Sequence, residues 1–99
     1  MDTTKYAIIG NKSYGLYAGI VESFDTEKGV VEATHLRHVA SWYGKEGGIT
    51  SLAAYGVCGK QKKDSKIGAA VARATLTGVV NVFYCSDEAR LSIEDIGVK

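Results

Sequence analysis

In residues 14–24 two sets of side chains alternate along the sequence with a period of two. This pattern constrains the fold of the chain more than any other. One set of side chains is Tyr14, Leu16, Ala18 and Ile20, and the other is Gly15, Tyr17, Gly19 and Val21. Such alternation predicts a β-strand, since successive side chains of a strand point to opposite faces. The two glycines share a face, which marks a bend or a place where another segment packs against bare backbone.

Further strands are predicted on both sides of this one. Polar and glycine-containing turns at residues 10–13 and 25–29 separate it from neighbouring strands, and Gly29 is suited to a left-handed position. Gly68 and Gly78 are expected to interrupt the last β-favouring segment, whose second half is the most hydrophobic and is expected to be central in the sheet. The predicted strands are residues 5–11, 14–24, 30–39, 67–74 and 77–84.

Two helices are predicted outside these strands. Residues 86–96 have an N-cap serine, Ser86, followed by two acidic residues that suit the helix dipole, and an apolar face of Ala89, Ile93 and Ile96. A short helix is expected over residues 52–55. The order of elements predicts one α+β domain over residues 1–99: a small twisted antiparallel sheet or partial β-barrel of about five strands with a short middle helix and a C-terminal helix.

Composition narrows the class of protein. The 99 residues carry a net charge of +1, so no global field draws the chain to nucleic acid or to an acidic membrane. Cys58 and Cys85 are too few for a disulfide framework and lack zinc-site spacing. The sequence shows no signal segment, and no apolar run approaches about 18 residues. We therefore expect a soluble intracellular protein, outside any membrane, and a homo-oligomer because the core is small.

Groups that could be paired for catalysis are scarce. His35 and His38 are three residues apart, which on a regular strand directs them to opposite faces, so they form no metal pair unless the strand is bulged. Cys58 has no base nearby in the sequence, and the carboxylates show no dyad pattern. The short glycine turns match neither the phosphate-binding loop nor the dinucleotide-binding fingerprint. The sequence therefore predicts no catalytic residues, no metal site, no cofactor and no enzyme activity.

Residues 40–56, ASWYGKEGGITSLAAYG, carry the candidate binding site. The Gly47-Gly48 turn is expected to open into the short helix, with Thr50 or Ser51 as its cap and Gly56 as its end. Free N–H groups there attract phosphate, and aromatic rings stack on bases. The alternative is an aromatic core corner beside a capped helix, and Trp42 in particular fits both roles. The candidate ligand-binding residues are Arg37, Trp42, Tyr43, Lys45, Gly47, Gly48, Thr50, Ser51, Tyr55, Lys66 and Arg73.

Four segments also resemble a family of small uncharacterised bacteriophage and prophage proteins. They are WYG at 42–44, SLAAYG at 51–56, LTGVVNV at 76–82 and CSDEARLSI at 85–93, and the resemblance covers residues 36–93. It implies a phage protein, and it supplies no catalytic residues to carry over to this chain. Small phage proteins of this size include sponges, which sequester the nucleotide immune signals of the host. The link to this chain is an analogy in phage biology and ligand chemistry and not a match of motifs.

Three functions follow as expectations. The first is a non-enzymatic phage protein that binds and sequesters a phosphate-bearing small molecule, such as a nucleotide immune signal. The alternative is an accessory protein that binds nucleic acid or another protein, with the lysines of residues 60–66 tracking phosphates. The third and least favoured is a small nucleotide-processing enzyme.

Overall fold

The structure is a computed structural model that describes residues 5–13, 15–45 and 48–97. These residues form a six-stranded antiparallel sheet with two α-helices, which confirms the predicted α+β class. A single 3₁₀ turn (Lys62–Asp64) precedes the fourth strand. The elements are β1 (Tyr6–Asn11), β2 (Gly15–Asp25), β3 (Val30–Ser41), α1 (Ile49–Tyr55), β4 (Lys66–Ile67), β5 (Val71–Leu76), β6 (Val79–Tyr84) and α2 (Asp87–Glu94).

The sheet curls, because a short connection joins its two ends. The strand order is β4-β3-β2-β1-β6, and β5 pairs with β3 beside β4. Thr77 and Gly78 alone join β5 to β6, so the two ends of the sheet meet at this connection. Lys12 N donates to Gly78 O (2.8 Å), and Val79 N donates to Gly29 O (3.0 Å). These bonds attach the β1–β2 turn and the β2–β3 turn to the connection between β5 and β6.

The position of β6 differs from the prediction. This most hydrophobic segment lies at one end of the strand order and not at its centre, and Val80 on it is 62% exposed. The longest strands, β2 and β3, lie inside the order instead. Strands inside the order are paired on both edges, and the long β2 and β3 therefore make more ladder hydrogen bonds there than the short β6 would.

A β-bulge divides β3 into two halves. Ala18 pairs with Arg37 and Ile20 pairs with Thr34, so His35 and Leu36 together oppose the single residue Gly19. His35 has a φ of 52°, which is uncommon for a residue other than glycine. A Cβ on Gly19 would lie 3.0 Å from Leu36 Cδ1, so the bulge packs against bare backbone, as the glycine spacing predicted.

The bulge changes which side chains of β3 share a face. A regular strand would place His35 with Val31 and Ala33, but Leu36 takes that place and His35 is exposed. Beyond the bulge, Arg37 lies opposite Ala18, on the other face of the sheet. The regular alternation predicted for residues 30–39 is therefore wrong at this point.

Two apolar clusters stabilise the fold. The inner cluster lies within the curl of the sheet and contains Ala7, Ile9, Val21, Val31, Ala33, Leu36 and Val79. The outer cluster lies between the sheet and the helices and contains Tyr6, Ile8, Ala18, Val39, Leu52, Ala53, Val57, Ile67, Ile93 and Ile96. The helices thus cover the outer face of the sheet, and the candidate site lies where they join it.

The start of α2 follows the sequence prediction. Ser86 Oγ accepts from Ala89 N (3.0 Å) as the N-cap and donates to Ala54 O in α1 (2.7 Å). One hydroxyl therefore satisfies a free N–H group in the first turn of α2 and also joins the two helices by a hydrogen bond. Neither helix within the described ranges has the length and apolar character to cross a membrane.

Candidate functional site

Arg37 is buried, with 8% of its surface exposed. Its guanidinium donates to three backbone carbonyls: Nε to Gly68 O (2.6 Å), Nη1 to Ile93 O (3.1 Å) and Nη2 to Ile67 O (3.2 Å). These bonds connect β3 with the end of β4 and the last turn of α2. Arg37 therefore acts first as an internal connector of the fold, which its sequence context did not indicate.

Trp42 and Tyr43 are adjacent in the sequence but have different environments. Trp42 is half-buried and packs against the outer cluster, which agrees with the alternative of an aromatic core corner. Tyr43 is 42% exposed, and its backbone is fixed on both sides: its N–H donates to Ser65 Oγ (2.9 Å) and its carbonyl accepts from Cys58 N (3.0 Å). The backbone therefore presents the Tyr43 ring to solvent from a rigid position.

Lys45 and Tyr55 come together as a cation–π pair. Lys45 Nζ lies 4.2 Å from the centroid of the Tyr55 ring, and Tyr55 is 42% exposed. The contact joins the loop before α1 to the last residue of that helix. Two predicted site residues that are ten positions apart in the sequence thus form one exposed feature.

The helix start differs from the prediction. Helix α1 begins at Ile49, its N-cap is Gly48 (φ 73°), and no side chain caps it. Thr50 and Ser51 therefore lie inside the first turn, and the prediction that one of them is the cap is wrong. Gly56 ends the helix as predicted, with its N–H donating to Leu52 O. Gly47 lies outside the described residues.

A cavity of about 390 Å³ lies beside Tyr43, and we call it the Tyr43 cavity. Its walls are Tyr43, Gly44, Cys58, Gly59, Lys60 and Gln61. A Cβ on Gly44 would lie 2.9 Å from Gly56 O, so the backbone of Gly44 packs directly against the backbone of Gly56. This brings the loop after β3 against the loop after α1. The sequence analysis placed Lys60 only in a solvated loop and missed it as a wall residue.

Lys66 and Arg73 were predicted to close the other side of the site. Lys66 is in β4 opposite Ser41, and Arg73 is in β5 opposite Thr34. Both are exposed, and the described residues that line the Tyr43 cavity include neither of them. The cation that the fold brings to Tyr43 is Lys60.

The two cysteines differ in environment. Cys58 is half-buried and lines the Tyr43 cavity. Cys85 is packed against the outer cluster, and burial raises the pKa of its thiol to about 12. At neutral pH the Cys85 thiol is therefore protonated and a poor nucleophile.

Both histidines lie on β3. His35 and His38 are both exposed, and the His38 ring contacts the Tyr17 ring in a tilted arrangement, with the centroids 5.1 Å apart and the planes inclined by 56°. In the part of the chain that the structure describes, no group of three His, Cys, Asp or Glu side chains could hold a metal ion.

The family described as "Domain of unknown function (DUF6948)" matches residues 4–93. No curated protein and no solved structure matches the chain. The family match covers nearly all the elements described above, and the resemblance to small phage proteins stays a prediction.

Proposed function

The chain belongs to the family of the domain of unknown function DUF6948, and from the geometry of its own residues we propose that it binds a phosphate-bearing small molecule of the nucleotide class without transforming it. One observation carries the proposal: Tyr43 and Lys60 line the same cavity. An aromatic face and an ammonium group are the two contacts that a nucleotide requires, one for the base and one for the phosphate.

The volume of the Tyr43 cavity limits the ligand. About 390 Å³ is near the lower end of the range of small-molecule sites, about 300–1,000 Å³. It fits a single nucleoside unit better than a whole oligonucleotide. A larger signal would have one unit in the cavity and its remaining phosphates outside, at the surface.

The surface next to the cavity suits those additional phosphates. Lys45 directly follows the wall residue Gly44, and its ring partner Tyr55 directly precedes Gly56, whose carbonyl faces Gly44. The Lys45–Tyr55 pair therefore continues the pattern of one cation and one ring beyond the cavity. We propose that it forms the outer part of the same site.

Sequestration is the use that the resemblance to small phage proteins suggests. In this proposal the protein is a sponge in the host-cell cytoplasm that holds a nucleotide immune signal and returns it unchanged. The test incubates the protein with a panel of mononucleotides and cyclic oligonucleotides, removes free ligand, heats the complex and identifies what is released. Release of an intact ligand supports the proposal, whereas a chemically altered ligand would establish an enzyme.

Cys58 provides a reporter of occupancy in the native protein. A ligand in the Tyr43 cavity should slow alkylation of Cys58, and Cys85 contributes little background because its thiol remains protonated. Tyr43→Ala and Lys60→Ala should each remove the protection. The matched control is Lys28→Ala, which changes an exposed lysine outside the cavity. Protection that survives both cavity variants would contradict the assignment of the site.

Nucleic-acid binding is a second candidate, favoured by the exposure of Lys60, Lys62, Lys63 and Lys66 on one short segment. Phosphate tracking by these lysines predicts affinity for DNA or RNA that falls steeply with salt. Fluorescence anisotropy with a labelled oligonucleotide at two salt concentrations tests it. Equal affinity at both concentrations would exclude a phosphate-tracking role.

We also propose that the protein forms a homo-oligomer. Val80 and Tyr84 on β6 are 62% and 53% exposed, and Leu91 on α2 is 66% exposed. Large exposed apolar side chains are typical of surfaces that contact another chain. Light scattering at high micromolar concentration should give a mass above 10.6 kDa. A monomer mass would exclude the oligomer.

A further inference from the structure

The phenol of Tyr6 is the starting point of a second site. Tyr6 is 4% exposed, and its hydroxyl has no hydrogen-bond partner among the described residues. It is the single buried side-chain polar atom of the described chain in this condition. A buried hydroxyl without a partner loses its hydration and gains no hydrogen bond in return, so such groups are rare and call for a physical reason.

Tyr6 lines a cavity of about 330 Å³, which we call the Tyr6 cavity. Ala70 and Ile96 give it apolar walls, while Arg37, Glu94 and His35 contribute polar groups. Ala70 and His35 are exposed, so the cavity is open to solvent on their side. Apolar walls with a few converging polar groups are typical of small-molecule sites.

Arg37 gives this cavity a buried positive charge. A guanidinium has five N–H groups, and the three carbonyl bonds described above leave one N–H on each Nη atom. Within the described ranges no carboxylate lies within 4.0 Å of it, since Arg90 with Glu94 is the ion pair found there. A buried cation without an ion-pair partner favours an anion in the adjoining space.

Glu94 limits the charge of that anion. Its Oε1 accepts from Arg90 Nε at 3.2 Å, and Arg90 Cζ also lies 5.2 Å from the centroid of the Tyr6 ring. The pair is close to neutral as a unit, so Arg37 provides the remaining single positive charge. The carboxylate of Glu94 would still repel a dianion such as phosphate more strongly than a monoanion.

The bulge in β3 creates this arrangement. It turns Arg37 to the outer face of the sheet and places His35 at the mouth of the cavity with a φ of 52°. Residues in sparsely populated backbone conformations cluster at functional sites, because the surrounding structure must stabilise them. The strained residue and the unpartnered hydroxyl thus belong to the same cavity.

We propose that the Tyr6 cavity binds a small monoanionic carboxylate with an apolar body, with the Tyr6 hydroxyl and the free N–H groups of Arg37 donating to the carboxylate. Burial raises the pKa of the Tyr6 phenol, so the hydroxyl remains a donor at neutral pH. The apolar part of the ligand would lie against Ala70 and Ile96. This site is separate from the Tyr43 cavity and does not depend on the function proposed for it.

The test uses benzoate as the probe, with benzamide as its neutral isostere and inorganic phosphate as a dianion-containing control. Titration calorimetry on the full chain should show benzoate binding at least tenfold tighter than benzamide or phosphate. Tyr6→Phe removes only the hydroxyl and should lower benzoate affinity by about tenfold, because a hydrogen bond to a charged group is lost. Tyr84→Phe, which removes an exposed hydroxyl, is the matched control and should leave affinity unchanged.

The melting temperature of Tyr6→Phe and the ligand preference of a further variant provide two more tests. Tyr6→Phe should leave the melting temperature equal or higher, since it removes an unpartnered buried group. Glu94→Gln should strengthen benzoate binding and admit phosphate. Equal binding of benzoate and benzamide, or unchanged benzoate affinity in Tyr6→Phe, would overturn the proposal. Absence of benzoate binding to the unmodified protein would overturn it as well, and the cavity would then hold solvent only.

Discussion

Arg37 and Lys45 are cations of the same predicted site, yet the structure gives them opposite environments. Arg37 is 8% exposed and donates to three backbone carbonyls, whereas Lys45 lies over the exposed ring of Tyr55. The described residues 37–45 and 48–56 therefore have a buried face, with Arg37 and Gly56, and an exposed face, with Lys45 and Tyr55. The buried face should determine stability, and the exposed face should determine nucleotide binding.

The two glycines that bound α1 provide the sharpest contrast between the faces. Gly48 and Gly56 have similar φ values, 73° and 71°, but a Cβ on Gly48 would meet open space. A Cβ on Gly56 would lie 2.8 Å from Ala89 Cα in α2.

Gly56→Ala should therefore lower the free energy of unfolding by about 4 kcal/mol, from backbone strain and overpacking together. Gly48→Ala carries the strain alone and should cost about 1–2 kcal/mol. Urea unfolding of both variants measures the difference. Equal losses would mean that α1 and α2 do not pack as closely as described.

Arg37→Ala tests the connector role on the buried face. Loss of its three hydrogen bonds should lower the free energy of unfolding by about 3 kcal/mol, since buried carbonyls lose a charged donor. For a domain of this size that is a fall in melting temperature of about 12–24 °C.

Arg73→Ala is the matched control, because Arg73 is an exposed arginine on the neighbouring strand β5. It should leave the melting temperature nearly unchanged. Thermal denaturation followed by circular dichroism compares the two variants. A stable Arg37→Ala protein would show that the three carbonyl bonds of Arg37 do not hold these elements together.

Trp42→Ala examines the residue that lies between the two faces. Its half-buried side chain packs against the outer cluster, so truncation should cost about 2 kcal/mol, less than for a fully buried tryptophan. Nucleotide binding by the folded variant should persist, because Tyr43 and not Trp42 lines the Tyr43 cavity. Loss of binding with unchanged stability would assign Trp42 to the exposed face.

The Lys45–Tyr55 contact should have the smallest effect on stability. A double-mutant cycle with Lys45→Ala and Tyr55→Leu should give a coupling energy of about 0.5 kcal/mol, as expected for an exposed cation–π pair. Both single variants should nevertheless weaken nucleotide binding. A coupling energy as large as the effect of Arg37→Ala would mean that this pair is part of the core.

The sequence by itself determined most of the secondary structure. Period-two alternation predicted β2, a serine followed by acidic residues predicted α2, and Gly29, Gly56, Gly68 and Gly78 marked the ends of elements. These signals are local, because they depend on the backbone preferences and hydrogen bonds of residues close in the sequence. Gly19 even indicated a close approach, without indicating which segment makes it.

Only the tertiary structure decided which of the predicted site residues lie together. The bulge at His35 turned Arg37 toward the carbonyls of Gly68 and Ile93, which are 31 and 56 residues away. The same folding brought Lys60 and Tyr43 to one cavity and left the buried Tyr6 hydroxyl without a partner beside another. A sequence pattern indicates which face of a strand or helix a side chain occupies. Pairing register and long-range contacts decide which residues that side chain contacts.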